Sequence, residues 1–235
     1  MNKLIENIRL ELIQNADEKV KQQGEKFFKE KVILYGIRSA VIKKIEKVHY
    51  NSISDKNKSH IFSLCDELWK DNILEESIIA CTWSYNVHRY YETSDFETFE
   101  RWVNTYVSNW ATCDTFCNHS VGTFIEMYPT YLSNLKRWAK SQNRWVKRAS
   151  AVSLIVPARK GKFLEDIFQI ADILHSDPDD MVQKGYGWML KVASQANQVK
   201  VFDYVMNKKS TMPRTALRYA IEKMPQELKQ KAMLK

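Results

Sequence analysis

Six glycines and five prolines in a chain of 235 residues are too few to punctuate strands and tight turns, so the backbone has to run mostly as helix. The apolar pattern agrees, with the 3.6-residue period recurring from end to end. In ISDKNKSHIFSLCDELWK (53–70) it puts Ile61, Leu64, Cys65, Leu68 and Trp69 on one stripe, and in ILEESIIACTWSYNVHRY (73–90) it aligns Ile73, Ser77, Ala80, Cys81 and Ser84. Ser94 with Glu97 three residues on has the form of a capping box opening FETFERWVNTYVS. Further helices are expected near 111–127, 129–140, 144–155, 162–175, 179–194, 197–208 and 212–223. Breaks fall at Pro129, 141–143, Pro157 with Gly161, 176–180, Pro213 and Pro225. Only KVILYGIR (31–38) tempts a strand, and its Gly36 reads better as a loop between helices.

Helix pairs recurring at about 35–40 residues suggest an all-α fold, a HEAT-like α-solenoid. No linker or low-complexity segment interrupts it, so residues 1–235 are expected to form one domain of about six helix pairs. A stack of this kind makes a concave face. No window approaches the roughly 20 apolar residues of a membrane span, and the first 20 residues read as a charged amphipathic helix, not a signal peptide. Cys65, Cys81, Cys113 and Cys117 lack C-x-x-C spacing and are expected to be reduced, packed thiols of a cytoplasmic protein. Cys113 and Cys117 with His119 offer three metal ligands and no visible fourth.

Charge is unevenly distributed. Residues 1–100 hold 15 basic and 17 acidic side chains, and residues 101–235 hold 21 and 11. Between Glu126 and Glu165 there is no acid, while Lys136, Arg137, Lys140, Arg144, Lys147, Arg148, Arg159, Lys160 and Lys162 all fall there. A solubilising surface usually mixes signs, so this run points to a polyanion, most simply nucleic acid, in a basic groove.

One acid stands apart. Asp114 is the only carboxylate between Glu100 and Glu126, one helical turn after Trp110, and Cys117 and Val121 continue the same i, i+4, i+7, i+11 series. A carboxylate on an apolar stripe is either satisfied by a partner such as an arginine, or has a task. Beside an indole, one such task is to face a transient cation. If the corresponding helix of each pair faces inward, one groove collects Trp110, Asp114, Arg148 and Trp188. Gly185 and Gly187, flanking Tyr186 just before Trp188, suggest close approach by a neighbouring helix or by a ligand.

Four segments in order resemble the AlkD-type DNA alkylation-repair glycosylases, over roughly residues 1–225. YGIRSAVIKKIEK (35–47) is similar to their GVR…P-x-L-R-K-I segment, and Trp110-x-x-x-Asp114 to their catalytic W-x-x-x-D pair. RWVKRASAV (144–152) resembles their W-hydrophobic-R-R-A segment, and VQKGYGWMLK (182–191) their Q-K-A-I-G-W segment. Lys147 replaces one paired arginine, Ala40 a common proline, and Gly185 an alanine. The resemblance implies a monomeric, nucleoid-associated enzyme of bacterial type that binds duplex DNA containing alkylated bases, at no membrane. Its reaction would be hydrolysis of the N-glycosidic bond of cationic N3- or N7-alkylpurines, without a metal or organic cofactor. Asp114 would stabilise the oxocarbenium-like sugar, Trp110 and Trp188 would pack on the lesion's sugar and backbone, and Arg148 with Lys147 would hold phosphates. Tyr35, Arg38, Lys140, Arg144 and Lys184 complete the implied DNA contacts. Two other classes fit the same solenoid: a non-catalytic binder of damaged, bent or branched DNA, and a scaffold for acidic protein partners.

Overall fold

In the computed structural model, which describes residues 2–234, every regular element is a helix. The one β-type pairing among these residues is a single bridge between Ile33 and Ile73, where Leu74 N–H donates to the Ile33 carbonyl at 2.9 Å. KVILYGIR is therefore a loop, tied to the start of a helix. The chain divides into two compact units, one running up to Phe116 and one from Cys117 onward.

The first unit holds α1 (Lys3–Gln14), α2 (Glu18–Glu25), α3 (Ser39–Ser52), α4 (Lys58–Trp69), α5 (Leu74–Asn86), α6 (Asp95–Thr105) and α7 (Trp110–Phe116). Helices α3, α5 and α7 lie side by side, with α5 in the middle, and α1 and α4 pack behind them. Both apolar stripes read from the sequence turn inward. Ile61, Leu64, Cys65, Leu68 and Trp69 are buried, as are Ser77, Ala80, Cys81 and Ser84, whereas Ile73, just before α5, is only partly buried. The aromatic centre is Trp69, Phe99, Trp102 and Phe116, with Phe116 set edge-on to Trp69 (82°) and Phe99 (79°), a geometry that the ring quadrupoles favour. Asn2, Asp17 and Asn57 cap α1, α2 and α4 through side-chain oxygens.

The capping box at Ser94 does not form. Ser94 itself has helical dihedrals and its side chain caps nothing. Buried Asp95 is the polar anchor of that entrance: its Oδ2 accepts the Glu92 N–H at 2.7 Å and Lys58 Nζ from α4 at 2.9 Å. A charge-assisted bond of that kind is about twice as strong as a neutral cap, so the tertiary partner sets the turn.

Two buried carboxylates hold the 33–37 loop. Glu75 accepts the N–H groups of Tyr35, Gly36 and Ile37 at 3.0, 2.9 and 3.2 Å. Glu76 accepts Arg9 Nε at 3.0 Å and Nη2 at 2.9 Å, and the Tyr35 hydroxyl at 2.6 Å. Gly36, at φ +90°, is obligatory here, since a Cβ would sit 2.5 Å from the Asp17 carbonyl oxygen.

The second unit opens with a π turn, Cys117–Val121, then α8 (Gly122–Met127), α9 (Leu132–Trp138), α10 (Arg144–Val152), α11 (Ile155–Arg159), α12 (Leu164–Leu174), α13 (Asp180–Ala196), α14 (Gln198–Lys208), α15 (Arg214–Ile221) and α16 (Gln226–Met233). Helices α10, α13 and α15 form one layer, and α9, α12, α14 and α16 back them as partners, which is the pairing of an α-solenoid. The close approach signalled by the paired glycines is made by neighbouring helices. A Cβ on Gly187 would lie 2.7 Å from Tyr219 Cβ and 2.9 Å from the Ala216 carbonyl of α15, and one on Gly185 would lie 3.2 Å from Arg148 Cγ of α10.

Candidate nucleic-acid interface

In the first unit the Asp114 helix is built from its buried side. Thr112, Cys113 and Phe116 face the core, and buried Asn109 starts the helix by accepting Thr112 N–H on Oδ1 at 3.0 Å and Cys113 N–H on its carbonyl at 3.1 Å. Trp110 and Asp114 lie one turn apart on the other side, each partly exposed. The π turn begins directly after α7, so the 3.6-residue count that joins Trp110 to Asp114 does not carry on to Val121. The indole of Trp110 is held from a distant segment: Phe28 stacks on it with ring centroids 5.4 Å apart, and its Nε1–H faces the Phe27 carbonyl at 3.4 Å. The next ring, Phe27, is 75% exposed. Sequence spacing missed this segment, although FF set among Lys26, Lys29 and Lys31 was a visible signal.

Of the two contacts expected near α3, Tyr35 is committed to Glu76. Burial, then that hydrogen bond, pushes its phenol well above the usual tyrosine range, so it stays protonated. Arg38 is exposed at the start of α3.

In the second unit the acid-free run does not make an acid-free surface. The turn before α13 brings three aspartates onto it. Asp179 takes Arg144 on both oxygens, Nε at 2.8 Å and Nη2 at 3.1 Å, while capping α13 through Met181 and Val182. Asp177 pairs with Lys147, and Asp180 with Lys184 at 3.2 Å. Asp166 takes Lys136 at 2.6 Å, and Glu126 takes Lys160 and Lys162 at 2.7 and 3.0 Å. Arg144 also lies over the Trp145 ring, 5.0 Å from its centroid.

Arg148 is only 6% exposed; it packs across Gly185 and its Nη1 donates to the Met181 carbonyl at 2.5 Å. Trp188 is partly exposed on α13, and Lys140 is exposed after α9. The structure thus gathers Arg144, Lys147 and Lys184 around one aspartate turn and sets Arg148 beneath them in the packing of α10 on α13. Among the described residues no group of three His, Cys, Asp or Glu side chains is placed to hold a metal ion. No helix among the described residues is long and apolar enough to cross a membrane.

The family model described as DNA alkylation repair enzyme matches residues 8–224, nearly the whole chain. The chain belongs to that family. A solved structure titled "Predicted DNA alkylation repair enzyme from Enterococcus faecalis" shares the fold, with a TM-score of 0.75 over 90% of this chain and 98% of that one, at 14% identity. No protein of curated function matches this sequence. As a member of a DNA-repair family, this all-helical protein has DNA as its partner class.

Proposed function

We propose that this family member is a DNA glycosylase that removes cationic N3- or N7-alkylated purines from duplex DNA. The observation that carries the reading is Asp114: a partly exposed carboxylate one turn from an indole that Phe28 and the Phe27 carbonyl hold in place.

Alkylation gives the purine ring a positive charge and so makes it a good leaving group. The C1′–N bond breaks with its electron pair going to the base, which departs neutral. The positive charge passes to the sugar as an oxocarbenium. The Asp114 carboxylate opposes that charge and orients a water, whose oxygen bonds to C1′ and whose proton is released through the carboxylate. Trp110 packs its π face against the same cation. In the second unit Trp188 packs on the DNA backbone. Arg144, Lys147 and Lys184 meet phosphates by exchanging their aspartate partners for phosphate oxygens. Arg148 supports that surface from beneath, and Lys140 extends it.

The test is release of methylated purine from alkylated duplex, measured in a single turnover with enzyme in excess. Time-dependent appearance of free base supports the reading. Salt-sensitive DNA binding with no base released replaces it with a non-catalytic DNA-binding module.

A further inference from the structure

Helix α3 carries a run of exposed positive charge. Several other cations of this unit are occupied, although exposed Lys19, Lys26 and Lys31, in and after α2, make no ion pair among the described residues. Arg9 meets Asp71 and Glu76, Lys58 meets Asp95 and Glu92, Lys70 meets Glu67, Arg101 meets Asp66, and Lys56 donates to backbone carbonyls. On α3 the pattern reverses. Arg38, Lys43, Lys44 and Lys47 are all exposed, and none makes an ion pair or hydrogen bond among the described residues. The helix's only acid, Glu46, is half-buried, and burial pushes its carboxyl above the usual range. Lys43 and Lys47 stand one turn apart, a like-charge spacing that weakens an isolated helix. With Glu46, Ile42, Ile78, Ile79 and Thr82 they line a groove of about 300 Å³ between α3 and α5.

This is notable in a region whose sequence carries more acids than bases. Charge counted along the chain placed the polyanion surface at residues 136–162, where most cations are already paired. Four exposed cations without an ion pair among the described residues stand on α3, in the same layer as the helix that bears Trp110 and Asp114.

We propose that α3 is a phosphate-binding rail, on which Lys43, Lys44 and Lys47, with Arg38 at the helix start, hold the backbone of duplex DNA. The proposal rests on the repair reading above. Its contacts are sequence-independent and serve to position the duplex.

The test is the affinity for an undamaged duplex as a function of salt, by fluorescence anisotropy. Wild type is compared with the triple variant Lys43→Gln, Lys44→Gln, Lys47→Gln, and with Lys160→Gln, Lys162→Gln as a control whose cations are already paired with Glu126. Glutamine keeps a helix propensity close to lysine, and circular dichroism confirms that the fold is retained. Each phosphate contact contributes about 0.9 to the log–log slope, so the α3 variant should flatten it by about 2.7 while the control changes it little. A steep wild-type slope that the α3 variant leaves unchanged overturns this proposal and spares the repair reading. Absence of salt-dependent binding by the wild type overturns both.

Discussion

Phe28 stacks on Trp110 with their planes 24° apart, joining the segment after α2 to the first residue of α7 across more than eighty positions of sequence. The indole is therefore supported before any DNA arrives, and preorganisation of this kind lowers the cost of facing a short-lived cation.

Removing that support should be felt in the rate. An aromatic pair is worth about 0.5–1.5 kcal/mol beyond its buried area, so Phe28→Ala should slow single-turnover base release by about 2- to 10-fold. Equilibrium affinity for undamaged duplex should stay near wild type. An unchanged rate would show that Trp110 needs no stacking partner, or no role.

The two glycines of α13 should answer differently to alanine. Helix propensity alone favours alanine by about 0.5–1 kcal/mol. At Gly187 the new methyl meets Tyr219 Cβ at 2.7 Å and the Ala216 carbonyl at 2.9 Å, and neither can swing away. Overpacking of this sort costs about 1–3 kcal/mol, so Gly187→Ala should lower the urea midpoint. At Gly185 the nearest atom is Arg148 Cγ at 3.2 Å, which need give way by only a few tenths of an ångström. Gly185→Ala should be close to neutral or mildly stabilising. The opposite order of midpoints would contradict the α13–α15 packing.

The buried pair Glu75 and Glu76 should be costly to break. Glu76→Ala removes the fully buried carboxylate from the part-buried Arg9 guanidinium, which keeps the more exposed Asp71, and takes the acceptor from the Tyr35 hydroxyl. Loss of one member of a buried pair costs about 3–5 kcal/mol. Chemical denaturation should show a loss of that order, larger than for Glu67→Ala, whose partner Lys70 is exposed.

Thiol chemistry should be silent in the native protein. All four cysteines are buried, and burial pushes the Cys65 and Cys81 thiols well above the usual range. The thiolate is the nucleophile, so at pH 8 a disulfide-exchange reagent should label the folded chain only at the rate of its unfolding, and label four sites once denaturant is added. Fast native labelling would mean that the core opens.

Particular residues show what was legible in the sequence. The stripe through Ile61, Leu64, Cys65, Leu68 and Trp69 was readable because the helical period alone decides which side of α4 is apolar. The pair of Trp110 and Asp114 was readable for the same reason, one turn being enough. Ser94 misled because its competitor was not local: Lys58, 37 residues before Asp95, supplies the charge that organises that turn. The acid-free run misled likewise, since Asp177 and Asp179 reach Lys147 and Arg144 from 30 and 35 residues away. Phe27 lies 83 residues from Trp110, and no spacing rule joins them. Local periodicity recovers elements and faces, whereas partners chosen by tertiary electrostatics and stacking emerge only once the helices are packed.

The central claim is that Asp114 carries the chemistry, and the most direct measurement is single-turnover release of N7- or N3-methylpurine by Asp114→Asn beside wild type. Asparagine keeps the shape and removes the charge that opposes the oxocarbenium. Preorganised electrostatic contacts of this kind are worth about 3–4 kcal/mol, so the rate should fall by about 10²–10³-fold. DNA affinity should hold or rise, because a negative charge near phosphate is gone. An Asp114→Asn protein that releases base at the wild-type rate would contradict the account.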